Sequence, residues 1–144
     1  MHAVTRIRDA RSIDASSLTA LATLVVGERR APALVREHLA RQQLLVADDG
    51  GAVVGLLAYR TDWFQCAFVD LVVVAEHTRR CGVARALFDE VARHAPGPRL
   101  FSSTEETNVD GIRMHRALGF VSSGHIDNLP QGYRELLFYK RLHG

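Results

Sequence analysis

The sequence is short of several residue types that mark specialised classes of protein. Its 144 residues include only 2 cysteines, 4 prolines and 1 tryptophan. Two cysteines are too few for a disulfide framework, and Cys66 and Cys81 match no zinc-binding spacing. The longest uncharged stretch near the N-terminus, Ala15 to Gly27, is too short to span a bilayer. No basic segment leads into an apolar run with a cleavage site, so we expect no signal peptide, no membrane association and no metal.

Lysine is almost absent as well. Of the 18 basic residues all but Lys140 are arginine, and the formal net charge is +2. Arginine recognises phosphate and carboxylate through two parallel hydrogen bonds. Nucleic-acid-binding proteins concentrate such charge in a patch or stripe. Here the arginines are spread along the chain, with Arg29-Arg30 and Arg79-Arg80 as the only adjacent arginine pairs, so the sequence does not favour nucleic acid as a partner.

Size and composition indicate an ordinary folded domain. The chain is 47% apolar and 24% charged, which is typical of a globular protein. A chain of this length buries enough apolar surface to need no metal or disulfide. We therefore expect residues 1–144 to form a single soluble, cytoplasmic domain.

The hydrophobic pattern predicts an α/β protein. Its order is strand, two helices, three strands, helix, strand, helix and two strands. Local signals fix several of these elements: Asp48 to Gly51 is a hairpin turn, Pro32 suits the first turn of a helix, and Asn108 could cap another. The predicted elements are a strand at 4–8, helices at 14–26 and from Pro32, strands at 44–47, 52–59 and 66–75, a helix from Val83, a strand at 100–103, a helix from Asn108 to Gly119, and strands at 120–125 and 135–142.

One predicted strand carries an unexpected charge. Residues 66–75 are almost continuously apolar, as in a strand buried on both faces, and only Asp70 interrupts them. Strict alternation would place Asp70 on the same face as Val72 and Val74. Asp70 is either a working carboxylate or a charge paired with a structural arginine. On the preceding helix, His38 is expected to be a core or rim histidine rather than a ligand.

The turn after this strand has the composition of an anion site. A helix N-terminus offers free backbone N–H groups and the positive end of the helix dipole. Gly82 and Ala84 keep the turn small, and Arg79, Arg80 and Arg85 surround it with positive charge. The segment has neither the lysine of a Walker loop nor the three glycines of a dinucleotide fingerprint. An ordinary strand-to-helix turn with incidental arginines is the alternative.

The same residues resemble a known family, the GCN5-related N-acetyltransferases. The family's acyl-CoA loop, Arg/Gln-x-x-Gly-x-Gly/Ala, reads here Arg79-Arg80-Cys81-Gly82-Val83-Ala84. A second match lies downstream, with Asn108 followed by Leu118-Gly119-Phe120. The resemblance covers essentially the whole chain and implies an α/β fold with a mixed central sheet of about six to seven strands, flanked by about four helices.

The resemblance implies a role in binding acetyl-CoA for particular residues. Backbone groups of Val72 and Val74 would pair with the pantetheine arm, and Asn108 would contact the cofactor. The N–H of Val74 would also stabilise negative charge on the thioester oxygen, and a bulge would make room for the cofactor in this strand. The loop residues expected around the pyrophosphate are Arg79, Arg80, Cys81, Gly82, Val83, Ala84 and Arg85.

The resemblance also implies catalytic candidates. Where the family often has tyrosine as the acid, this chain has His115, which could protonate the departing thiolate or only form hydrogen bonds. An alkylamine is protonated at neutral pH, so a base is needed. Asp70 is one candidate and Glu106, with its neighbour Glu105, is the other. Cys81 is not expected to act as a nucleophile.

The activity implied is transfer of an acetyl group from acetyl-CoA to a primary amine, by direct attack in a ternary complex. The acceptor would be a small-molecule or peptide amine that the sequence leaves unidentified. Dimerisation is a weaker expectation that comes with the same resemblance. A non-catalytic acyl-CoA-binding sensor or regulatory module on the same fold is the alternative.

Overall fold

The computed structural model describes residues 5–79 and 81–143. The helices of this part of the chain are α1 (Ala15–Val26), α2 (Ala31–Ala40), α3 (Val83–His94) and α4 (Val109–Ala117). The strands are β1 (Arg6–Asp9), β2 (Leu44–Asp49), β3 (Ala52–Trp63), β4 (Cys66–Val74), β5 (Arg99–Glu105), β6 (Val121–Ile126) and β7 (Glu135–Arg141). Among the described residues, no helix combines the length and apolar character needed to cross a membrane.

The strands form one mixed sheet in the order β1-β2-β3-β4-β5-β7-β6. Neighbouring strands are antiparallel except β4 and β5, which run parallel with α3 as the crossover between them. The predicted mixed sheet of six to seven strands with four helices is therefore confirmed. The first strand is predicted from Val4, but residues 1–4 lie outside the described part of the chain.

The two faces of the sheet carry separate cores. On one face α3 packs against β3 and β4 around Leu87, Phe88 and Val91. On the other face α1 and α2 pack against β2, β3 and β4 around Leu18 and Val35. We call these the α3 face and the α1–α2 face.

The helical spacing of Leu18, Leu21, Ala22 and Val25 predicts one apolar stripe on α1, and the structure confirms it except at the C-terminal end. Leu18, Leu21 and Ala22 are buried, but Val25 is 60% exposed. Including Val25 in the core was therefore wrong, because the next residue, Val26, packs against this core in its place. His38 is buried in α2, as expected for a core or rim histidine.

Strand β4 contains a bulge at Asp70. Ala58 of β3 is opposite Leu71 and Tyr59 is opposite Val69, so Asp70 has no partner residue on β3. The extra residue reverses the alternation. Val69 belongs to the core of the α3 face, and Leu71 to the core of the α1–α2 face.

The parallel strands β4 and β5 pair over only three positions. These are Ala67 with Leu100, Phe68 with Phe101 and Val69 with Ser102. Beyond this point β4 continues to Val74 and β5 to Glu105 without pairing with each other. We call the gap between these unpaired ends the β4–β5 opening. Asp70 is the first residue of β4 beyond the last pair, so it lies at the apex of the opening.

Candidate functional site

One side of the β4–β5 opening is an unpaired edge of β4. The N–H of Ala75 donates to the carbonyl of Val54 in β3 at 2.8 Å. Backbone groups alternate in direction along a strand, so the N–H and C=O groups of Val72 and Val74 point away from β3 and into the opening. This edge can pair with an extended ligand that carries amide groups.

Val72 and Val74 lie at different depths in the opening. At the rise of a strand, Val72 is about 7 Å beyond Asp70 and Val74 about 13 Å beyond it. The side chain of Arg79 donates through Nε to the carbonyl of Val74 at 3.4 Å. Val74 therefore lies toward the arginine loop, whereas Val72 is the position nearer the carboxylate at the apex.

The mouth of the opening lies at the N-terminus of α3. Gly82 has a φ of +80° and precedes the first helical residue, Val83. The N–H of Ala86 donates to the carbonyl of Gly82 and is the first hydrogen bond of the helix. The N–H groups of Val83, Ala84 and Arg85 therefore have no partner within the helix. The first turn contains no acidic residue, and no side chain of the described residues caps it. These donors suit an anion.

The arginines of the loop differ in their surroundings. Arg79 reaches back to the carbonyl of Val74. Arg85 donates through Nη2 to the carbonyl of Ala117, at the end of α4, at 3.2 Å. Arg85 therefore links α3 to α4 through a hydrogen bond and also lies next to the loop. Cys81 is exposed, and Arg80, the remaining predicted contact, lies outside the described residues.

Asn108 caps α4, as the sequence predicts. Its Oδ1 accepts from the N–H of Gly111 at 2.9 Å, and its Nδ2 donates to Oγ1 of Thr104 at 3.0 Å. These contacts tie the end of β5 to the start of α4. Sequence reasoning missed Gly111, where an added Cβ would stand 2.6 Å from Oγ1 of Thr104. A glycine inside a predicted helix was the available signal, since it usually has a packing reason.

Asp70 points toward α2 rather than into the α3 face. Its Oδ2 lies 2.8 Å from Nε2 of His38, and 23% of its side chain is exposed. The predicted placement of Asp70 on the face of Val72 and Val74 was therefore wrong, because the bulge reverses the alternation. Its partner is a histidine 32 residues earlier, not the arginine offered as the structural alternative.

Both ring nitrogens of His38 face acceptors. Nδ1 lies 2.9 Å from the carbonyl oxygen of Leu34, which can only accept, so Nδ1 carries a proton. Nε2 faces the Asp70 carboxylate, and this contact becomes a hydrogen bond only when a second proton is shared between them. Burial by itself lowers the pKa of His38, but the bonds to Asp70 and Leu34 outweigh it and the pKa is raised. The two residues act as one proton-binding pair.

His115 lies in the core rather than at the opening. It is 1% exposed and stacks on Phe138, with ring centroids 4.5 Å apart. Nδ1 lies 2.7 Å from the carbonyl of Gly111 and Nε2 lies 2.7 Å from Oγ of Ser102. Burial lowers the pKa of His115. A neutral ring then donates from Nδ1 and accepts the Ser102 hydroxyl at Nε2, so no proton faces the opening, and this geometry does not support His115 as the acid.

Glu106 lies away from the apex. Its Oε2 accepts from the backbone N–H of Arg134 at 2.6 Å, and its own N–H donates to the carbonyl of Arg134 at 3.0 Å. It follows Ser102 by four residues, about 13 Å along the strand direction. Glu106 therefore holds the end of β5 against the loop that precedes β7. Of the three predicted catalytic residues, the structure places only Asp70 at the apex.

Comparison with known proteins gives a match to one family model and several similar solved structures. The family model described as the acetyltransferase (GNAT) family matches residues 12–120. A GNAT-family acetyltransferase from Bacillus cereus is 27% identical, with a TM-score of 0.87 over 98% of this chain and 99% of that one. A Salmonella typhimurium protein, described as an acetyltransferase with its cofactor acetyl-CoA, is 19% identical, with a TM-score of 0.77 over 96% and 94% of the two chains. At 19% identity, the similarity to the Salmonella protein shows a shared fold only.

A curated relative has a different name and a much longer chain. A subunit of the light-independent protochlorophyllide reductase of Pleurastrum terricola is 30% identical over 134 residues, which are 90% of this chain. The chain spans about a quarter of that protein, 24% of its length. The family model, by contrast, covers most of this chain, including the β4–β5 opening and the loop before α3. The chain belongs to the acetyltransferase (GNAT) family.

Proposed function

We propose that the protein is an N-acetyltransferase that uses acetyl-CoA and a primary amine in a ternary complex. The observation that carries this proposal is the β4–β5 opening, which runs from the N-terminus of α3 to the carboxylate of Asp70. An unpaired strand edge, a set of free helix N–H groups and a proton acceptor lie along one path. The family membership and the acetyl-CoA in the Salmonella protein support the same conclusion.

The residues along the opening fit the successive parts of acetyl-CoA. The pyrophosphate would be held by backbone N–H groups at the start of α3 and by positive charge in the loop. The pantetheine amides would pair with the edge of β4 at Val74, and Asn108 would stand beside the cofactor at the start of α4. The loop residues in this proposal are Arg79, Arg80, Cys81, Gly82, Val83, Ala84 and Arg85.

Acetyl-CoA supplies an activated acetyl group as a thioester. The chain must then hold the amine near that group, remove a proton from it and stabilise negative charge on the thioester oxygen. The family resemblance suggests the N–H of Val74 as the donor to that oxygen. Since Val72 is closer to Asp70, we assign this donor role to the N–H of Val72 and leave Val74 to the pantetheine arm.

The pair formed by Asp70 and His38 is the proton acceptor in this proposal. Its carboxylate is partly exposed at the apex, and its imidazole is buried behind it. When the ring carries one proton, the pair can take up a second from the incoming ammonium. Burial lowers the pKa of His38, but its bonds to Asp70 and Leu34 outweigh that effect and raise it, so the pair is a stronger base than a free imidazole. His38 is thus a positioning residue, and Asp70 is the group that meets the substrate.

Release of CoA from acetyl-CoA, measured with a broad panel of amines, tests the proposed function. The amine-free rate is subtracted, and acetylation of the amine is checked by mass spectrometry. We expect at least one class of primary amine to raise the rate. If acetyl-CoA binds in a calorimeter but no amine raises the rate, the chain is a cofactor-binding sensor instead of a transferase.

A further inference from the structure

Next to the apex, the α1–α2 face of the sheet carries a continuous row of aromatic rings. The ring of Trp63 lies 4.7 Å from Phe68 and 5.0 Å from Phe101, and Phe101 lies 5.3 Å from Tyr139, all between ring centroids. These four residues come from β3, β4, β5 and β7. We call this row the aromatic strip.

The strip lies on a part of the sheet that the helices leave uncovered. The main contacts of α1 and α2 with the sheet are to β2, β3 and β4. On β5 and β7 the alternate residues Leu100, Ser102 and Phe138 are buried on the α3 face, so Phe101 and Tyr139 project to the opposite side. All four rings of the strip are only half-buried. Their outer surface is available to a ligand.

The strip begins directly beside the proposed proton acceptor. Phe68 and Phe101 are opposite each other, one pair below Val69 and Ser102, where the opening starts. Phe68 precedes Asp70 by two residues, about 7 Å of strand. At the other end, Phe64 stands at the tip of the β3–β4 hairpin and is 81% exposed. The apolar surface therefore extends outward from the reacting carboxylate.

The charge around the strip favours a cation at its inner end. Arg60 is opposite Phe68 on β3, but its guanidinium is engaged by the carboxylate of Asp62 at 2.7 Å. On β7, Glu135 accepts from Ser103 at 2.7 Å and lies beyond Leu137 on the same face as Tyr139. A ligand with an ammonium group at Asp70 and an apolar body on the rings matches both the negative charge at the inner end and the apolar surface of the strip. Aromatic faces also attract cations.

We propose that the aromatic strip binds the acetyl acceptor, and that this acceptor is a primary amine carrying an aromatic or similarly flat apolar group a short distance from its nitrogen. The inference rests on the proposed function, because that function places the amine at Asp70. The rings contribute dispersion and offset or edge contacts. An amine with a short aliphatic body covers little of this surface.

A binding experiment separates this inference from the transferase reaction. Trp63 is the chain's only tryptophan, so intrinsic tryptophan fluorescence reports directly on the strip. Phenylethylamine and butylamine are both protonated at neutral pH, and each is titrated into the full chain with CoA present. We expect saturable quenching by phenylethylamine, with binding about tenfold tighter than that of butylamine. Absence of that selectivity overturns the proposal, whatever the rate of acetyl transfer.

Two variants test the location. Phe101→Leu keeps an apolar side chain but removes a ring, and should reduce the preference for phenylethylamine about threefold or more. Ile13→Ala changes an exposed apolar side chain, 81% exposed, just beyond β1 at the far edge of the sheet, and should leave the preference unchanged. Equal effects of both variants, or unaltered selectivity in Phe101→Leu, would contradict the assignment.

The same titration, combined with the CoA-release assay on acetyl-CoA, distinguishes the remaining outcomes. Selective binding of phenylethylamine, with no CoA release by any amine of the panel, supports the strip as an amine-binding surface and overturns the transferase. Release of CoA with both amines at equal efficiency, and no selective quenching, overturns the strip and supports the transferase. If Trp63 emission depends on protein concentration without amine, and sedimentation shows a dimer, a second copy of the chain covers the strip and the proposal fails.

Discussion

The carboxylate of Asp70 and the imidazole of His38 lie 2.8 Å apart, at the point where β4 separates from β5. The orientation of Asp70 and the protonation of His38 depend on each other. The bulge turns Asp70 toward α2, and the Leu34 carbonyl fixes the proton on the far nitrogen of His38. The result is a partly exposed carboxylate with a buried partner that can hold one further proton. A carboxylate of this kind inside an apolar strand is accounted for by this pairing.

The pair predicts a specific pH dependence of stability. The pKa of folded His38 is raised above its ordinary value of about 6.5. Its contribution to the free energy of unfolding is therefore fully present below about pH 6.5, and is lost as the pH rises through the raised pKa. Urea unfolding of the wild type and of His38→Gln, from pH 5.5 to 9, should show curves that converge with increasing pH. Parallel curves would mean that no shared proton is present.

The proposed anion site at the start of α3 predicts a large effect of charge at Gly82. In Gly82→Glu a carboxylate would face the proposed pyrophosphate, and we expect loss of measurable acetyl-CoA binding by calorimetry. Gly82→Gln is the matched control, because it places a side chain of nearly the same size at the same φ of +80° without the charge. Both variants carry the same backbone strain, so equal losses of binding would assign the effect to strain or bulk rather than to charge.

The two valines on the edge of β4 are predicted to have separable roles. Proline removes an N–H group, and neither Val72 nor Val74 uses that group to pair with β3. Val72→Pro should lower kcat about 100-fold or more, as expected for a lost oxyanion donor, with acetyl-CoA affinity nearly unchanged. Val74→Pro should mainly weaken acetyl-CoA binding. Circular dichroism and thermal melting check that each variant is folded, and the reverse pattern would return the donor role to Val74.

His115 is predicted to contribute to stability rather than to proton transfer. His115→Leu leaves the buried Ser102 hydroxyl without its acceptor, so unfolding should become easier by about 1–3 kcal/mol. Adding Ser102→Ala should recover part of that loss, because the unsatisfied hydroxyl is then removed. The pH profile of kcat for His115→Leu should match the wild type, measured below its melting temperature. A lost alkaline limb in that profile would restore His115 as the acid.

Local features of the site were predictable from the sequence, and its long-range pairings were not. The helix start at Val83, the cap at Asn108 and the turn at residues 48–51 depend on a few adjacent residues, so their chemistry is visible in the sequence. The direction of Asp70 was predicted wrongly because one extra residue in a strand reverses every side chain that follows. The family resemblance implies a bulge in this strand, but an unaligned sequence does not show which residue is the extra one.

The partners of the catalytic candidates required the folded chain. His38 reaches Asp70 from 32 residues away, and the sequence predicted only a core or rim histidine there. His115 has the spacing of a catalytic position, but its burial against Ser102 and Phe138 depends on how α4 packs on β5 and β7. The aromatic strip joins four strands, and its rings are scattered singly through the sequence. These contacts follow from the order of the strands in the sheet, so no single segment of the sequence shows them.

The most direct test of the account measures amine-dependent CoA release by the wild type and by Asp70→Asn, with acetyl-CoA affinity determined in parallel by calorimetry. Asp89→Asn, an exposed change on α3, serves as the control. We predict that Asp70→Asn binds acetyl-CoA as the wild type does but transfers acetyl about 100-fold or more slowly near neutral pH, as expected when a general base is lost. Unchanged transfer by Asp70→Asn would contradict the assignment of Asp70 as the proton acceptor at the apex of the β4–β5 opening.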